Sequence, residues 1–212
     1  MKKKIIIIFC LIFILIITTI ILIKNNYKSI KMGNNIINQS ADKIKENILN
    51  IESYKAKVQI IITSNKNTNT YEATQKYYKE NNLYKQEITS PESFAGTTFE
   101  YDGSNLQIKN TKLNLSKIYE NYNYIGSNEL SLNNFIEDYN NNENQDFEND
   151  EEIILETVVK TNNKYRKIKR LYISKNTKSP TKMEIQDNAQ NTLVYILYNE
   201  IEINKLEKEQ IN

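Results

Sequence analysis

Histidine and tryptophan are absent from this 212-residue chain, and cysteine occurs once, at Cys10. Without histidine the Ser/His/Asp and Cys/His nucleophile arrangements and the ordinary zinc ligand sets are excluded. A single cysteine also excludes an intrachain disulfide, so packing alone must hold the domain together. Glycine and proline are scarce, at 4 and 2 residues, whereas Ile, Asn, Lys and Tyr are abundant. That skew reads as the codon bias of an AT-rich genome, and it discounts Asn-rich and Lys-rich runs as signals in themselves. With 25% charged and 39% hydrophobic residues and a net charge of +2, the composition is that of a folded domain. These absences predict no catalytic residue, no metal and no cofactor, and hence a protein that is not an enzyme.

What is present first is an apolar run. Lys2, Lys3 and Lys4 precede Ile5 to Ile23, which only Thr18 and Thr19 interrupt. As a helix rising ~1.5 Å per residue, this segment just spans a hydrocarbon core of about 30 Å. Its apolar core, marked by Ile5, Phe9, Leu15 and Ile23, is longer than that of a cleavable signal peptide, and no small-residue cleavage site follows. Cys10 sits inside the run after Ile7-Ile8-Phe9, not at its end after small residues as lipidation requires. The expectation is an uncleaved, single-pass membrane anchor. The Lys triplet favours a cytoplasmic N-terminus, which puts the rest of the chain outside the cytoplasm. Residues 1–24 are read as cytoplasmic stub and anchor, 25–39 as a spacer, 40–206 as one domain and 207–212 as a polar tail.

Within the domain, Ser40 is a candidate N-cap for a helix with Ile44, Ile48 and Ile51 on one face. Period-two sequence follows. Tyr54, Ala56, Val58, Ile60 and Ile62 alternate with polar residues, and Tyr71, Ala73, Gln75 and Tyr77 form the face of a second strand across a polar turn. Further strands are predicted at Leu83 to Thr89, Thr97 to Tyr101 and Leu106 to Ile108, with Asp102-Gly103 as a hairpin turn. Leu113 and Leu115 begin a short extended or turn segment. Leu130, Leu132, Phe135, Ile136 and Tyr139 read as a second short amphipathic helix. Four more strands are predicted at Glu151 to Lys160, Lys164 to Ile173, Thr181 to Gln186 and Thr192 to Ile203. The sum is an α+β architecture, a long antiparallel meander that should curl, with two helices to cover one face.

The order of these elements, together with Ile51-Glu52-Ser53-Tyr54, Gln86-Glu87-Ile88, Ser90-Pro91-Glu92-Ser93-Phe94-Ala95-Gly96, Tyr101-Asp102-Gly103 and Ile118-Tyr119-Glu120-Asn121-Tyr122, resembles the LolA-like lipoprotein-carrier superfamily. More narrowly it resembles the clostridial germination lipoprotein GerS and its relatives. The resemblance implies a half-barrel with helices on its concave face. For GerS-like members it implies support of a spore-cortex amidase of the CwlD type during sporulation, and so a role in germination. The alternative it implies is a lipid or lipoprotein carrier or sensor. The lipobox of a lipoprotein is missing, and the helical anchor takes its place.

Three constellations remain. The acidic stretch 137–152 lacks both a calcium-loop motif and any device that sets two carboxylates across a cleft, and is read as a solvated, mobile loop. Lys160 to Lys182 is a basic hairpin in which Lys164, Arg166, Lys169 and Arg170 form a candidate partner surface for anionic lipid, wall polymer or an acidic protein, weighed against a solvated strand face. Tyr119, Tyr122, Leu130 and Phe135 are candidate lining for a lipid-accepting cavity, weighed against ordinary core packing. Nucleic acid is disfavoured by compartment, and a homodimer through a long edge strand stays open.

Overall fold

The computed structural model describes residues 40–122, 128–159 and 168–206. Two compact units divide the chain, residues 1–44 and 45–212, and the sheet belongs wholly to the second. Helix α1 covers residues 40–49, and past its end Ile51 is buried, as is Ile48 within it. Six strands follow in sequence: β1 (Ser53–Thr63), β2 (Thr68–Tyr78), β3 (Leu83–Ser90), β4 (Thr97–Asp102), β5 (Leu106–Asn110) and β6 (Leu115–Tyr119). Helix α2 (Leu132–Asn141) separates them from β7 (Asn144–Glu148), β8 (Glu152–Val158), β9 (Ile168–Ser174), β10 (Ser179–Gln186) and β11 (Thr192–Ile203).

All eleven strands form one antiparallel sheet in the order β6-β5-β4-β3-β2-β1-β11-β10-β9-β8-β7. Each strand therefore pairs with its sequence neighbour except at the centre, where β1 meets β11 from Tyr54↔Ile203 to Ile62↔Val194. The right-handed twist of so many strands makes such a sheet curl.

Alternation decides what is buried. Tyr54, Ala56, Val58 and Ile60 of β1 line up with Leu155, Leu171, Met183, Ile185 and Ile196 from the second half as a core from which water is excluded. Helix α2 lies on this core through Leu132, Phe135 and Tyr139. It starts where Ser131 Oγ accepts the Asn134 N–H at 3.3 Å, and it closes with the Asn142 N–H on the Asp138 carbonyl at 3.0 Å. Polar side chains fix its seat. The Tyr54 hydroxyl donates to Asn133 Oδ1 at 3.2 Å, and Thr157 Oγ1 donates to the Asp138 carbonyl at 3.3 Å.

The acidic stretch is a correction. Residues 137–152 are solvent-exposed along most of their length but are not a loop: they hold the last turns of α2, edge strand β7 and the start of β8. Local charge was misleading because the carboxylates have cationic partners from elsewhere in the chain: Asp138 pairs with Lys169 at 2.6 Å, Glu148 with Lys175 at 2.6 Å, and Asp146 with Lys45. The short extended or turn segment that Leu113 and Leu115 begin is, from Leu115, strand β6. Among the described residues no helix is long and apolar enough to cross a membrane. The anchor positions Ile5, Phe9, Leu15 and Ile23 lie outside the described residues.

Candidate functional site

Two of the segments that carried the sequence resemblance, Ser90 to Gly96 and Ile118 to Tyr122, reach the β6 edge of the sheet, and another, Tyr101 to Gly103, forms the turn that holds the end of the β6 segment. The loop after β3 is built by the Phe94 and Ala95 N–H groups on the Pro91 carbonyl, both at 3.0 Å. It ends at Gly96, whose φ of +81° suits glycine and whose N–H returns to the Ile88 carbonyl at 2.9 Å. This loop leaves Phe94 half exposed, edge-on to Tyr71 with ring centroids 5.8 Å apart.

Asp102 builds the second segment. Its Oδ1 accepts the N–H groups of Ser104 at 2.9 Å and Asn105 at 2.7 Å, and these backbone bonds hold its carboxyl below the usual carboxylate range. Gly103 follows at φ +97°, and a Cβ there would stand 2.6 Å from the Asn81 carbonyl oxygen. The third segment is tied to this turn. The Tyr122 N–H donates to the Ser104 carbonyl at 2.9 Å and the Asn121 N–H to Asn105 Oδ1 at 3.3 Å. Tyr122 then stands against Tyr119, with centroids 5.9 Å apart.

The result is a groove of about 490 Å³ lined by Phe94, Thr97, Ile108, Leu113, Leu115 and Tyr119. Leu113 and Leu115 are each 61% exposed and Ile118, on the other face of β6, is 58% exposed. Large apolar side chains clustered on one exposed strand mark an interaction surface. Lys117 Nζ stands over the Tyr119 ring at 4.7 Å. Behind the edge, Glu100 bridges Lys85 at 3.0 Å and Lys109 at 2.6 Å. Burial opposes the charged form of Glu100, but hydrogen bonds from the two ammonium groups outweigh it and lower the carboxyl's pKa.

The side chains singled out in the sequence fall elsewhere in part. Tyr119 and Tyr122 belong to this edge. Phe135 is fully buried, stacked on Tyr139 at 6.0 Å, and Leu130 is half-buried with its carbonyl accepting from Gln75 Nε2 at 3.3 Å. The four therefore do not line one cavity. The basic surface is likewise corrected. Lys169 shares a face with Leu171 and Ile173, is 1% exposed, and donates to Asp138 and Asn134. Arg170, on the opposite face, is paired with Glu156. Lys169 is closed to a partner, Arg170 is partly exposed while paired, and Lys164 and Arg166 lie outside the described residues. Sequence reasoning missed Phe94, Leu113, Leu115 and Ile118. Leu113 and Leu115 alternate with Asn114 and Ser116 as in a half-buried strand, so the pattern carried no sign that their face is exposed.

A smaller recess of about 380 Å³ opens beside the helices and is lined by Ile51, Tyr77, Asn133 and Glu137 among others. Burial, with Glu137 and Glu52 nearby, pushes the Tyr77 hydroxyl up to about 12. Among the described residues no cluster of three carboxylates, histidines or cysteines is placed to hold a metal ion.

A single long antiparallel meander with helix α2 laid over its buried face defines the class of fold. The chain belongs to the YdcC-like sporulation protein family, whose sequence model matches residues 2–211. Among solved structures, a conserved protein from Thermus thermophilus shares the fold at 14% identity and a TM-score of 0.51, over 81% of this chain and 92% of that one. Also similar are the CwlD amidase of Clostridioides difficile in complex with the GerS lipoprotein (26% identity, TM-score 0.45, 80% of this chain and 94% of that one) and a LolA superfamily protein from Nitrosomonas europaea (14%, 0.42, 81% and 97%). No curated protein matches the chain.

Proposed function

We propose that this chain is a membrane-anchored, non-enzymatic binding module outside the cytoplasm that docks and supports a spore-cortex amidase of the CwlD type during sporulation, as GerS-like proteins do. Membership of a sporulation family supplies the biological setting. The observation that carries the docking role is the exposed apolar groove at β6, where Phe94 of the Ser90 to Gly96 loop meets Leu113, Leu115 and Tyr119. Apolar residues that serve only folding have no reason to collect where no other described residue covers them. The carrier reading is weakened by the same structure, because Leu132 and Phe135 fill the space between helix and sheet in which an acyl chain would lie.

The test is capture of the cognate amidase by the full-length chain, paired with germination of a deletion strain. The reading predicts a stoichiometric complex, and a deletion strain whose amidase is inactive and whose spores germinate poorly. No complex, with full amidase activity and normal germination in the deletion strain, would overturn it.

A further inference from the structure

Strand β6 is the end of the sheet, and the register shows which of its backbone groups are left over. The Asp102 N–H donates to the Asn105 carbonyl at 3.2 Å, closing the β4–β5 hairpin. Residues of an antiparallel strand bond alternately to one neighbour and the other. From the pairs Tyr101↔Leu106 and Phe99↔Ile108, it follows that Leu106, Ile108 and Asn110 turn their backbone groups toward β6. Their partners there are Tyr119, Lys117 and Leu115. The N–H and C=O groups of Ser116 and Ile118 therefore point away from the sheet.

Exposed edges of this kind are normally blunted by charge, and the opposite edge is. Strand β7 carries Asp146, held by Lys45 and by the Tyr139 hydroxyl, and Glu148, held by Lys175. Strand β6 carries a single charge, Lys117: all five of its residues are exposed, and apolar side chains stand on both of its faces. The exposed charges nearby are the cations Lys112 and Lys117, with one carboxylate, Glu120, just past the end of the strand.

We infer that β6 receives an extended segment of the partner protein as an added antiparallel or parallel strand, with apolar residues beside Leu115 and Tyr119 and an acidic residue between them beside Lys117. This inference rests on the docking reading above and specifies how the partner is held. Backbone bonds to Ser116 and Ile118 supply affinity, the groove under Phe94 and Leu113 supplies specificity, and the lysines select an acidic segment.

Ser116→Pro is the discriminating variant. It deletes one outward N–H, costs no bond to β5, and falls where an edge strand tolerates proline. Ser116→Ala is its control, because it removes only the exposed contact from Gln107 Nε2 at 3.1 Å. With the full-length chain and purified cognate amidase, Ser116→Pro should weaken binding at least tenfold while Ser116→Ala binds as the parent does, both retaining the parent's circular dichroism. Amide exchange at Ser116 and Ile118 should slow on adding the amidase, and Lys117→Glu should weaken binding further at low salt than at high salt. Undiminished binding of Ser116→Pro, with protection elsewhere, overturns the strand-addition inference and leaves the docking reading standing. A parent dimer that Ser116→Pro turns monomeric without loss of amidase binding also overturns it, because a second copy then occupies the edge. Absence of any complex removes both.

Discussion

Lys169 shows how far a residue's role can sit from its local sequence. In a run of basic residues it looks like part of a surface, yet it is 1% exposed and its ammonium is held by Asp138, 31 residues earlier. Removing one partner of such a pair strands a buried charge, so Lys169→Ala or Asp138→Ala should each cost about 3–5 kcal/mol in urea unfolding. The double replacement Lys169→Met with Asp138→Leu should cost far less than the sum. Asp102 offers a pH test. Its folded pKa is lowered by backbone N–H groups, so its contribution to stability is present above the unfolded carboxyl value of about 4 and is lost as pH falls through the lower folded value. Asp102→Asn should therefore lower the urea midpoint at pH 7 and flatten its fall over that acid range.

At the scale of elements, alternation made most of the sheet legible. Strand β1 alternates through Tyr54, Ala56, Val58 and Ile60, and β2 and β11 do so over their stretches Ala73–Tyr77 and Val194–Tyr198, so these residues announce themselves. The two edge strands were not legible, because both are exposed throughout and period two has nothing to register. Helix α2 could be read from Leu132, Phe135 and Tyr139, but Asp138 within it and Asp146 beyond it belong to ion pairs that no local pattern encodes. The candidate site was half legible: the short segments were visible as words, but their meeting at β6 depends on pairing across β3 to β5. At this edge apolar exposure is separable from stability. Changing Leu113 and Leu115 together to Asp should alter unfolding free energy by no more than about 0.5 kcal/mol per position. It should suppress self-association by light scattering and abolish capture of the amidase.

For the whole molecule, the first prediction concerns the proposed anchor. The full chain should sediment with membranes and resist carbonate extraction, whereas a chain lacking residues 1–24 should be released. Recovery of the full chain in the soluble fraction would count against the anchor and against a stationary module. The second consequence comes from the strand order. Ten pairings hold the sheet, and nine of them join strands adjacent in sequence; only β1 with β11 joins distant ones, as Tyr54↔Ile203 shows. Local hairpins close quickly and distant pairings slowly, because chain entropy is lost before contact rewards it. Two half-sheets, β1 to β6 and β7 to β11, are thus able to assemble independently and then zip along one central seam. That makes the seam the last part of the sheet to form, so a variant that slows zipping should leave two folded half-sheets waiting on one unpaired line.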